Sequence, residues 1–414
     1  MKAFLFILLS LIFILNATGV SAKTIYVRES NHHEAIQHAI NVAQQGDTIV
    51  VGPGIYREHE IQINKTLYLK GIHYPTIDAE KKGTVISIQA NGVVLDGFHI
   101  INSGAGEIRE LAGIFIINSD RVTVQNNRLD NNTFSIYCQY SRNCTLKNNN
   151  ITSHIKDEVL GGNGIHCWHS DSLLIIGNAI KGHRDGIYFE FVTHSLISGN
   201  LSQNNIRYGL HFMFSEGDKY IDNTFKDNHA GVAVMYTHDV QMIHNIFKDN
   251  WGGAAYGLLL KEISNSEISG NLFTRNTIAV QIESCTRLNL YKNRFIDNGY
   301  AIKISSSTIS SRVSHNNFMN NTFDVATNGS FIDNTFNGNY WDKYQGYDLN
   351  HDGVGDQPYH PVSMYGMIIE SNPAALMLFR SLIADLLDET EKLLPGIIPK
   401  NLEDNKPYMK PLPL

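Results

Sequence analysis

The residues in this sequence that could do chemistry are methionines and histidines that recur at fixed offsets within a repeat of about 22 residues. Met213, Met235 and His211 would together offer two thioethers and one imidazole on a single face. Soft thioether ligands favour Cu(I), so these three residues are the first candidates for a copper site. Secondary candidates for the same metal, near them in the unrolled repeat, are His166, His169 and His238.

The same repeat places aromatic and charged residues beside these methionines and histidines. An outer surface with aromatic groups where small polar residues would suffice is typical of a binding surface. Methionine is also common at adaptable protein interfaces, so docking or packing is the alternative to copper binding for Met213 and Met235. The candidate partner-binding residues of this face are Trp168, Tyr188, Glu190, Phe191, Phe214, Tyr236, Lys261 and Glu262.

An acidic segment nearer the C-terminus matches the first part of a calcium-binding loop. Its glycine stands at the position of the sharp turn, but Tyr359 occupies the place where a bidentate glutamate is expected. Calcium is therefore a candidate ligand, and a turn-rich structural loop is the alternative. The candidate calcium ligands are Asp348, Asn350, Asp352 and Asp356.

The repeat also determines the fold class. Each copy opens with a glycine and closes with an asparagine, and apolar and polar residues alternate between them with the period of a β-strand. A unit of this size cannot bury its own apolar face, so the chain is predicted to be an all-β solenoid of stacked coils. In such a stack the asparagines suit turns, and each can bond to the asparagine one coil above.

Five parts of the chain are distinguished by composition. Residues 1–22 have a basic start, an apolar run and a small-residue site, which predict a signal peptide cleaved near Ala22 and export to the periplasm. Residues 23–112 contain a capping helix at 35–43 and the first coils. Residues 113–335 form the regular repeats, 336–365 an acidic, turn-rich C-terminal cap, and 366–414 an amphipathic helix and an extended tail.

The C-terminal helix is predicted to begin with Asn372 as its N-cap and Pro373 in its first turn. Its apolar face includes Phe379 and Leu386, and it would either dock on a membrane transporter or cover the solenoid as a lid. Charged residues along this helix speak against a membrane span, so membrane association is expected to be peripheral only.

Charge and cysteine content exclude some classes of function. The formal net charge is −7 and no basic patch is present, which speaks against nucleic-acid binding. Cys138 and Cys144 are close enough in sequence to bridge across a turn, although spacing alone does not establish a disulfide. Cys167 and Cys285 are expected to be small buried hydrophobic residues.

Five segments of the repeat carry a resemblance to a known family: 164–170, 182–191, 207–214, 231–236 and 255–262. They resemble the NosD family, the periplasmic accessory proteins of nitrous oxide reductase maturation, and residues 339–359 are similar to the end of the family's domain. The resemblance implies a right-handed parallel β-helix and a non-enzymatic role in assembling the copper–sulfur centre of the reductase. It also implies three partners: an ABC transporter with an ATPase and a membrane subunit, a copper-carrying lipoprotein, and nitrous oxide reductase itself.

Two other classes of function remain open on the sequence. β-Helices also serve as carbohydrate lyases, hydrolases or epimerases, which need convergent acids or a base in a groove. The outward-facing positions that recur from coil to coil include Glu190 and Glu283, but they place no paired carboxylates on adjacent coils. A surface adhesin or plain scaffold is the third class, and it has no evident use for the histidines and methionines.

Overall fold

The computed structural model describes residues 22–28, 35–106, 110–154, 161–253, 255–329, 333–378, 381, 386–387 and 402–414. The signal peptide predicted for residues 1–22 lies outside these ranges except for Ala22, and Phe379 lies outside them as well.

The described part of the chain is a β-helix whose three faces are parallel sheets, here named sheets A, B and C. Apart from the first and last strand of each sheet, every strand pairs with the equivalent strand one coil earlier and one coil later, as in the pairing of Ile187 with Leu210 and of Leu210 with Val232. The predicted all-β solenoid is therefore confirmed.

The strands of sheet A are Thr24–Val27, Thr48–Val51, Tyr68–Gly71, Val94–Asp96, Thr123–Gln125, Thr145–Lys147, Leu174–Ile176, Leu196–Ser198, Lys219–Ile221, Gln241–Ile243, Glu267–Ser269, Asn289–Tyr291, Ser311–Ser314 and Asn334–Asn337. The strands of sheet B are Ile55–Tyr56, Thr76–Asp78, His99–Ile101, Arg128–Asp130, Asn150–Thr152, Ala179–Lys181, Leu201–Gln203, Thr224–Lys226, Ile246–Lys248, Leu272–Thr274, Arg294–Ile296, Asn317–Met319 and Tyr340–Trp341. The strands of sheet C are Ile61–Ile63, Ile86–Ile88, Ala112–Ile117, Phe134–Gln139, Ile165–Trp168, Asp185–Glu190, Tyr208–Met213, Ala230–His238, Tyr256–Ser264, Ile278–Glu283, Tyr300–Ile304 and Phe323–Thr327.

The core is a set of identical or similar side chains stacked from coil to coil. Successive rings of one interior column lie 4.0 to 5.6 Å apart and are stacked within 25° of parallel. All of them are almost completely buried, so this column joins neighbouring coils through the apolar area that their rings remove from water. The column consists of Phe225, Phe247, Phe273, Phe295, Phe318 and Trp341.

The glycines that open the repeat allow the coils to approach each other closely. A Cβ atom built on Gly209 would lie 2.6 Å from the carbonyl oxygen of Gly231, and one on Gly257 would lie 2.8 Å from that of Ala279. Both distances are shorter than a carbon–oxygen contact tolerates, so a larger residue here would push the coils apart.

A buried ladder of asparagines runs along one corner of the helix. Each amide group donates a hydrogen bond to the side-chain oxygen of the asparagine one coil later, for example Asn178 Nδ2 to Asn200 Oδ1 at 3.0 Å. The same oxygen accepts the backbone N–H of the earlier asparagine, at 2.8 Å in this pair. The ladder predicted for these residues extends from Asn127 to Asn339, and a second ladder, which we did not predict, extends from Asn205 to Asn321.

The first ladder ends on a carboxylate from the C-terminal tail. Asp404 is fully buried and accepts hydrogen bonds from the backbone N–H of Gly338 (2.8 Å), the backbone N–H and side-chain amide of Asn339 (both 2.9 Å) and the indole of Trp341 (3.1 Å). The tail therefore supplies the acceptors that a following coil would have supplied.

Two α-helices lie at the ends of the described structure. The first, α1 (Ala35–Val42), buries Ile36 and Ile40 against the first coils, and its opening amides donate to the Glu58 carboxylate at 2.9 and 3.1 Å. It confirms the predicted N-terminal capping helix.

The second helix, α2 (Met364–Ser371), begins nine residues before Pro373, where the C-terminal helix was predicted to start. Most of the predicted helix beyond Leu378 lies outside the described residues. Ser363 is its N-cap, and Asn372, the predicted N-cap, is the C-cap instead. Pro373 cannot continue the helix, and the chain forms a 3₁₀ segment over Pro373–Leu378. Tyr365 and Ile369 pack with Phe323, so α2 covers the last coils of sheet C.

Two further features concern the environment of the protein. Within the ranges described above, the structure contains no helix that is both long and apolar enough to cross a membrane.

All four cysteines are free and buried: Cys138, Cys144, Cys167 and Cys285. Burial raises the pKa of Cys285 to about 11. No disulfide joins Cys138 and Cys144 in this structure, and Cys167 and Cys285 are buried as expected.

We expect Asp404→Asn to loosen the last coil of the helix. The substitution places an NH₂ group, or an uncharged oxygen, opposite N–H groups whose hydrogen bonds the carboxylate now accepts. We expect the last coil to lose roughly 2 kcal/mol of stability and its amides to exchange about 30-fold faster. Hydrogen exchange measured by mass spectrometry should rise in Asn334–Trp341 and stay unchanged in the central coils. Substitution of the exposed Asp297 by asparagine is the control, and equal exchange in both variants would contradict the capping role.

Candidate functional site

The outer face of sheet C contains a column of alternating phenol and imidazole rings. Tyr137, His166, Tyr188 and His211 occupy the same position in four consecutive coils. Their ring centroids are 4.6, 4.7 and 5.0 Å apart in that order. Because the Tyr188 ring lies between them, His166 and His211 are on opposite sides of a side chain and do not form one metal site.

His211 lies beside a buried ion pair. Asp185 is fully buried and receives two hydrogen bonds from Arg207, Nε to Oδ1 at 2.9 Å and Nη2 to Oδ2 at 2.5 Å. The Nδ1 atom of His211 is 3.6 Å from Asp185 Oδ2 and 3.4 Å from Arg207 Nη2. Burial alone raises the pKa of Asp185, but the contacts from His211 and Arg207 outweigh it and lower that pKa below its usual value.

The two candidate methionines lie together on the same face. Met213 and Met235 are paired in register on adjacent strands, and both are half-buried. Met213 follows His211 by two residues and therefore points to the same side of the sheet. Of the residues named as copper candidates, these three are the ones that the fold brings together.

His166 has a different environment from His211. Its Nδ1 atom is 3.1 Å from the side-chain amide of Asn163, which can only donate, so the ring accepts there. Burial, and to a smaller extent the charge on Arg184, lower the pKa of His166 to about 3. The imidazole is therefore neutral at physiological pH, and the residue two positions on is Trp168 instead of a methionine.

A stack of exposed rings runs along the edge of sheet C, and we name it the exposed ring ladder. It consists of Tyr140, His169, Phe191, Phe214 and Tyr236, with successive centroids 5.4, 4.6, 5.3 and 5.2 Å apart and ring planes within 14° of parallel. Tyr140, Phe191 and Phe214 are 50%, 40% and 43% exposed. The next coil ends the ladder because it has Glu262 at this position.

Each rung of the exposed ring ladder has a positive φ, from 46° to 55°; four rungs follow directly after a strand of sheet C, and Tyr236 lies within the strand Ala230–His238. This conformation turns the side chain away from the core and towards its neighbour in the next coil. Trp168 packs edge-on against Tyr140 and His169 at 5.0 and 4.4 Å. Sequence reasoning missed Tyr140, although its position immediately after the sheet C strand is the same as that of His169 and Phe191.

His238 has both ring nitrogens directed at carboxylates. Nε2 is 2.8 Å from Glu216, and Nδ1 is 2.8 Å from Asp239. His169 is stacked within the exposed ring ladder. Neither histidine is therefore placed with His211 and the two methionines.

The charged candidates are spread along the same face. Glu190 accepts a hydrogen bond from the Tyr188 hydroxyl at 3.1 Å. Lys261 is paired in register with Met235 on one side and with Glu283 on the other. The apolar candidate Leu386, in the described pair 386–387, is 65% exposed.

The acidic loop is held by its own backbone. Asp348 accepts from the N–H groups of Asp352 (3.2 Å) and Gly353 (2.8 Å), and Asp356 accepts from that of Leu349 (2.7 Å). Asn350 donates to Asp352 at 3.1 Å. The described residues contain no group of three or more His, Cys, Asp or Glu side chains that could hold a metal ion, so calcium binding at this loop stays a prediction.

The comparisons with known proteins agree with this architecture. The family described as "Periplasmic copper-binding protein (NosD)" matches residues 152–346, and the right-handed β-helix region family matches residues 12–180. A "Probable ABC transporter binding protein NosD" of Stutzerimonas stutzeri is 25% identical over 365 residues, covering 81% of this chain and 80% of the relative.

Solved structures share the fold. PfbA, a surface adhesin of Streptococcus pneumoniae, superposes with a TM-score of 0.61 at 15% identity, covering 75% of this chain and 94% of that one. The catalytic unit of an α-1,3-glucanase from Streptomyces thermodiastaticus superposes with a TM-score of 0.56 at 12% identity, covering 79% and 70%. These identities show the fold alone. The chain therefore combines a right-handed β-helix fold with a match to the NosD family over residues 152–346.

Proposed function

We propose that this protein is an exported maturation factor that assists assembly of the copper–sulfur centre of nitrous oxide reductase. It would act with an ABC transporter and a copper-carrying lipoprotein, without catalysing a reaction itself. The observation that supports this best is the position of the NosD match, because residues 152–346 include most of the exposed ring ladder and both methionines of the outer face. Residues 1–22 would direct export to the periplasm and be removed near Ala22.

The exposed ring ladder is the surface through which a partner protein would dock. Five stacked rings span roughly 20 Å along the helix axis, at about 4.8 Å for each coil. Rigid aromatic residues contribute much of the binding energy at protein interfaces, and exposed apolar surface of this extent is unusual on a soluble protein. Glu190 and Glu262 lie beside and beyond the rings, where charges steer a partner more than they add affinity.

The outer face does not favour a carbohydrate-active enzyme. Glu190 and Glu283 share one column but are four coils apart, through Met213, Met235 and Lys261. Their backbones are therefore separated by roughly 19 Å, which exceeds the roughly 5–10 Å between the paired carboxylates of glycosidases. The nearby Arg207 is already paired with Asp185.

We expect the double substitution Phe191→Ser and Phe214→Ser to weaken partner binding about 10-fold or more, because it removes the two central apolar rungs of the ladder. Co-purification of the transporter with the tagged protein from detergent-solubilised membranes measures the effect. The copper content of nitrous oxide reductase, in cells that carry the variant as their only copy, measures its consequence.

The matched control changes two apolar residues of similar exposure elsewhere, Leu174→Ser and Ile309→Ser, which are 39% and 44% exposed. The control should retain both properties. Equal transporter binding by the ladder variant and the wild type would contradict the docking role. Normal reductase copper in cells that lack this protein would contradict the proposed function.

Calcium binding at the acidic loop is tested by thermal unfolding. If Asp348, Asn350, Asp352 and Asp356 bind the ion, millimolar calcium should raise the melting temperature, because a ligand that binds only the folded state stabilises it. Asp348→Asn with Asp352→Asn should abolish the shift, and magnesium is the ionic control. An unchanged melting temperature would leave the loop with a structural role only.

A further inference from the structure

The exposed ring ladder is bordered by carboxylates over four consecutive coils. From one residue before to three residues after each of its last four rungs, the sequence has one acidic residue and neither lysine nor arginine. These acidic residues are Asp171, Glu190, Glu216 and Asp239. The coils before and after them have cations at the same positions, Arg142 and Lys261. The acidic border is therefore limited to the part of the surface where the rings are stacked.

Two histidines hold three of these carboxylates in place without removing them from solvent. His194 Nδ1 lies 3.0 Å from Asp171, and the two ring nitrogens of His238 each lie 2.8 Å from a carboxylate oxygen, one of Glu216 and one of Asp239. The three acidic side chains are nevertheless 46%, 49% and 60% exposed, in that order. A carboxylate that is already oriented loses little further freedom when a cation of a partner approaches it.

The rings and the carboxylates recognise different groups. Because the ring planes lie within 14° of parallel, the faces of the rings cover one another and their edges point to solvent. A cation is attracted to the face of an aromatic ring and not to its edge, so the exposed edges favour apolar side chains. A partner that matches this surface therefore has apolar groups over the rings and positive charges beside them.

The spacing of the rings matches the pitch of an α-helix. Successive ring centroids lie 4.6 to 5.4 Å apart. One turn of an α-helix advances about 5.4 Å, whereas side chains on one face of a β-strand recur every 6.7 Å or about that distance. A helix along the ladder brings one apolar side chain to each ring, and a strand loses this match within two coils. The span of roughly 20 Å corresponds to about 13 helical residues.

We propose that the exposed ring ladder and its acidic border bind a basic amphipathic α-helix of a partner protein, with its apolar side chains on the rings and its lysines or arginines over the carboxylates. This inference rests on the proposed function for the role of the ladder as a docking surface, and it adds the chemistry of the partner. The surface also gives the helix a direction. Arg142, whose side chain is 72% exposed, lies beside the Tyr140 end, so the basic residues of the helix lie towards the Tyr236 end.

The test uses two labelled peptides of about 15 residues, long enough to cover the ladder as a helix. One has leucine on one helical face and lysine on the other, and its counterpart has glutamate in place of every lysine. Fluorescence anisotropy with the purified protein measures both affinities at pH 8. We expect the lysine peptide to bind at least about 10-fold more tightly in about 50 mM NaCl, and the difference to shrink in about 500 mM NaCl, because salt screens exposed charges.

Neutral variants of the border provide the matched comparison. Glu216→Gln with Asp239→Asn removes two charges and should weaken binding of the lysine peptide about 5-fold. The control, Asp222→Asn with Asp227→Asn, removes two carboxylates that are 64% and 38% exposed at other turns of the same coils, and it should bind as the wild type does. Glu190→Gln leaves the contacts of His238 in place and tests the border even if the first variant fails to fold.

The apolar part of the surface is tested with the ladder variant Phe191→Ser and Phe214→Ser, which should weaken binding of both peptides because both use the rings. Absence of binding by the lysine peptide, equal affinity for the two peptides, or equal losses in the border variant and its control would overturn the inference. Transporter co-purification and reductase copper content are measured without these peptides. Failure of the inference is therefore distinguishable from failure of the proposed function.

Discussion

The structure depends on the hydrogen bond that each buried asparagine donates to the asparagine of the next coil. The side-chain oxygen of Asn200 accepts both the backbone N–H and the side-chain amide of Asn178, at 2.8 and 3.0 Å. Both bonds require one asparagine for each coil at one fixed position, because a slip by a single residue would leave these buried groups unpaired. The ladder therefore sets the register of the coils from Asn127 to Asn339, and the stacked rings of the core follow that register.

A fixed register has a direct consequence for the surface. Residues one repeat apart in sequence become contact neighbours, so any side chain type repeated at one offset forms a continuous row. Phe191 and Phe214 are 23 positions apart in sequence, yet their ring centroids lie 5.3 Å apart. Aromatic rows and clustered thioethers thus require no folded pocket, and a solenoid can present both on a rigid support.

The regularity of the repeat is the reason that much of the fold could be predicted from the sequence. The solenoid, the capping helix at its N-terminal end and the asparagine ladder all follow from period and alternation. The prediction of Asn372 as an N-cap was wrong, because Asn and Pro suit either end of a helix, and here they follow α2, which packs on Phe323. Asp404 could not be foreseen as the ladder cap, since it lies 65 residues beyond Asn339.

The site was predicted less completely. The alternation of apolar and polar residues shows which side of the sheet a side chain faces, but not how much of that side chain is exposed. His166 and His211 face outward as expected, but their ring neighbours bury both of them. Alternation also cannot show that Tyr188 separates them, or that His238 is held between two carboxylates. These facts depend on side chains that are neighbours only after the coils have stacked.

The ion pair of Asp185 and Arg207 is the feature that distinguishes this part of the helix from the rest. Asp185 is fully buried while the Arg207 side chain is 29% exposed, and burial of a carboxylate costs several kcal/mol that its partner must offset. Stability alone therefore gives no reason for a charged residue at this position, where the next two coils have Tyr208 and Ala230 in register with Asp185. The neighbouring His211 gives one, because Arg207 Nη2 can donate to its Nδ1 atom and hold the imidazole in one orientation. The charge pair thus orients His211, as the Asn163 amide orients His166.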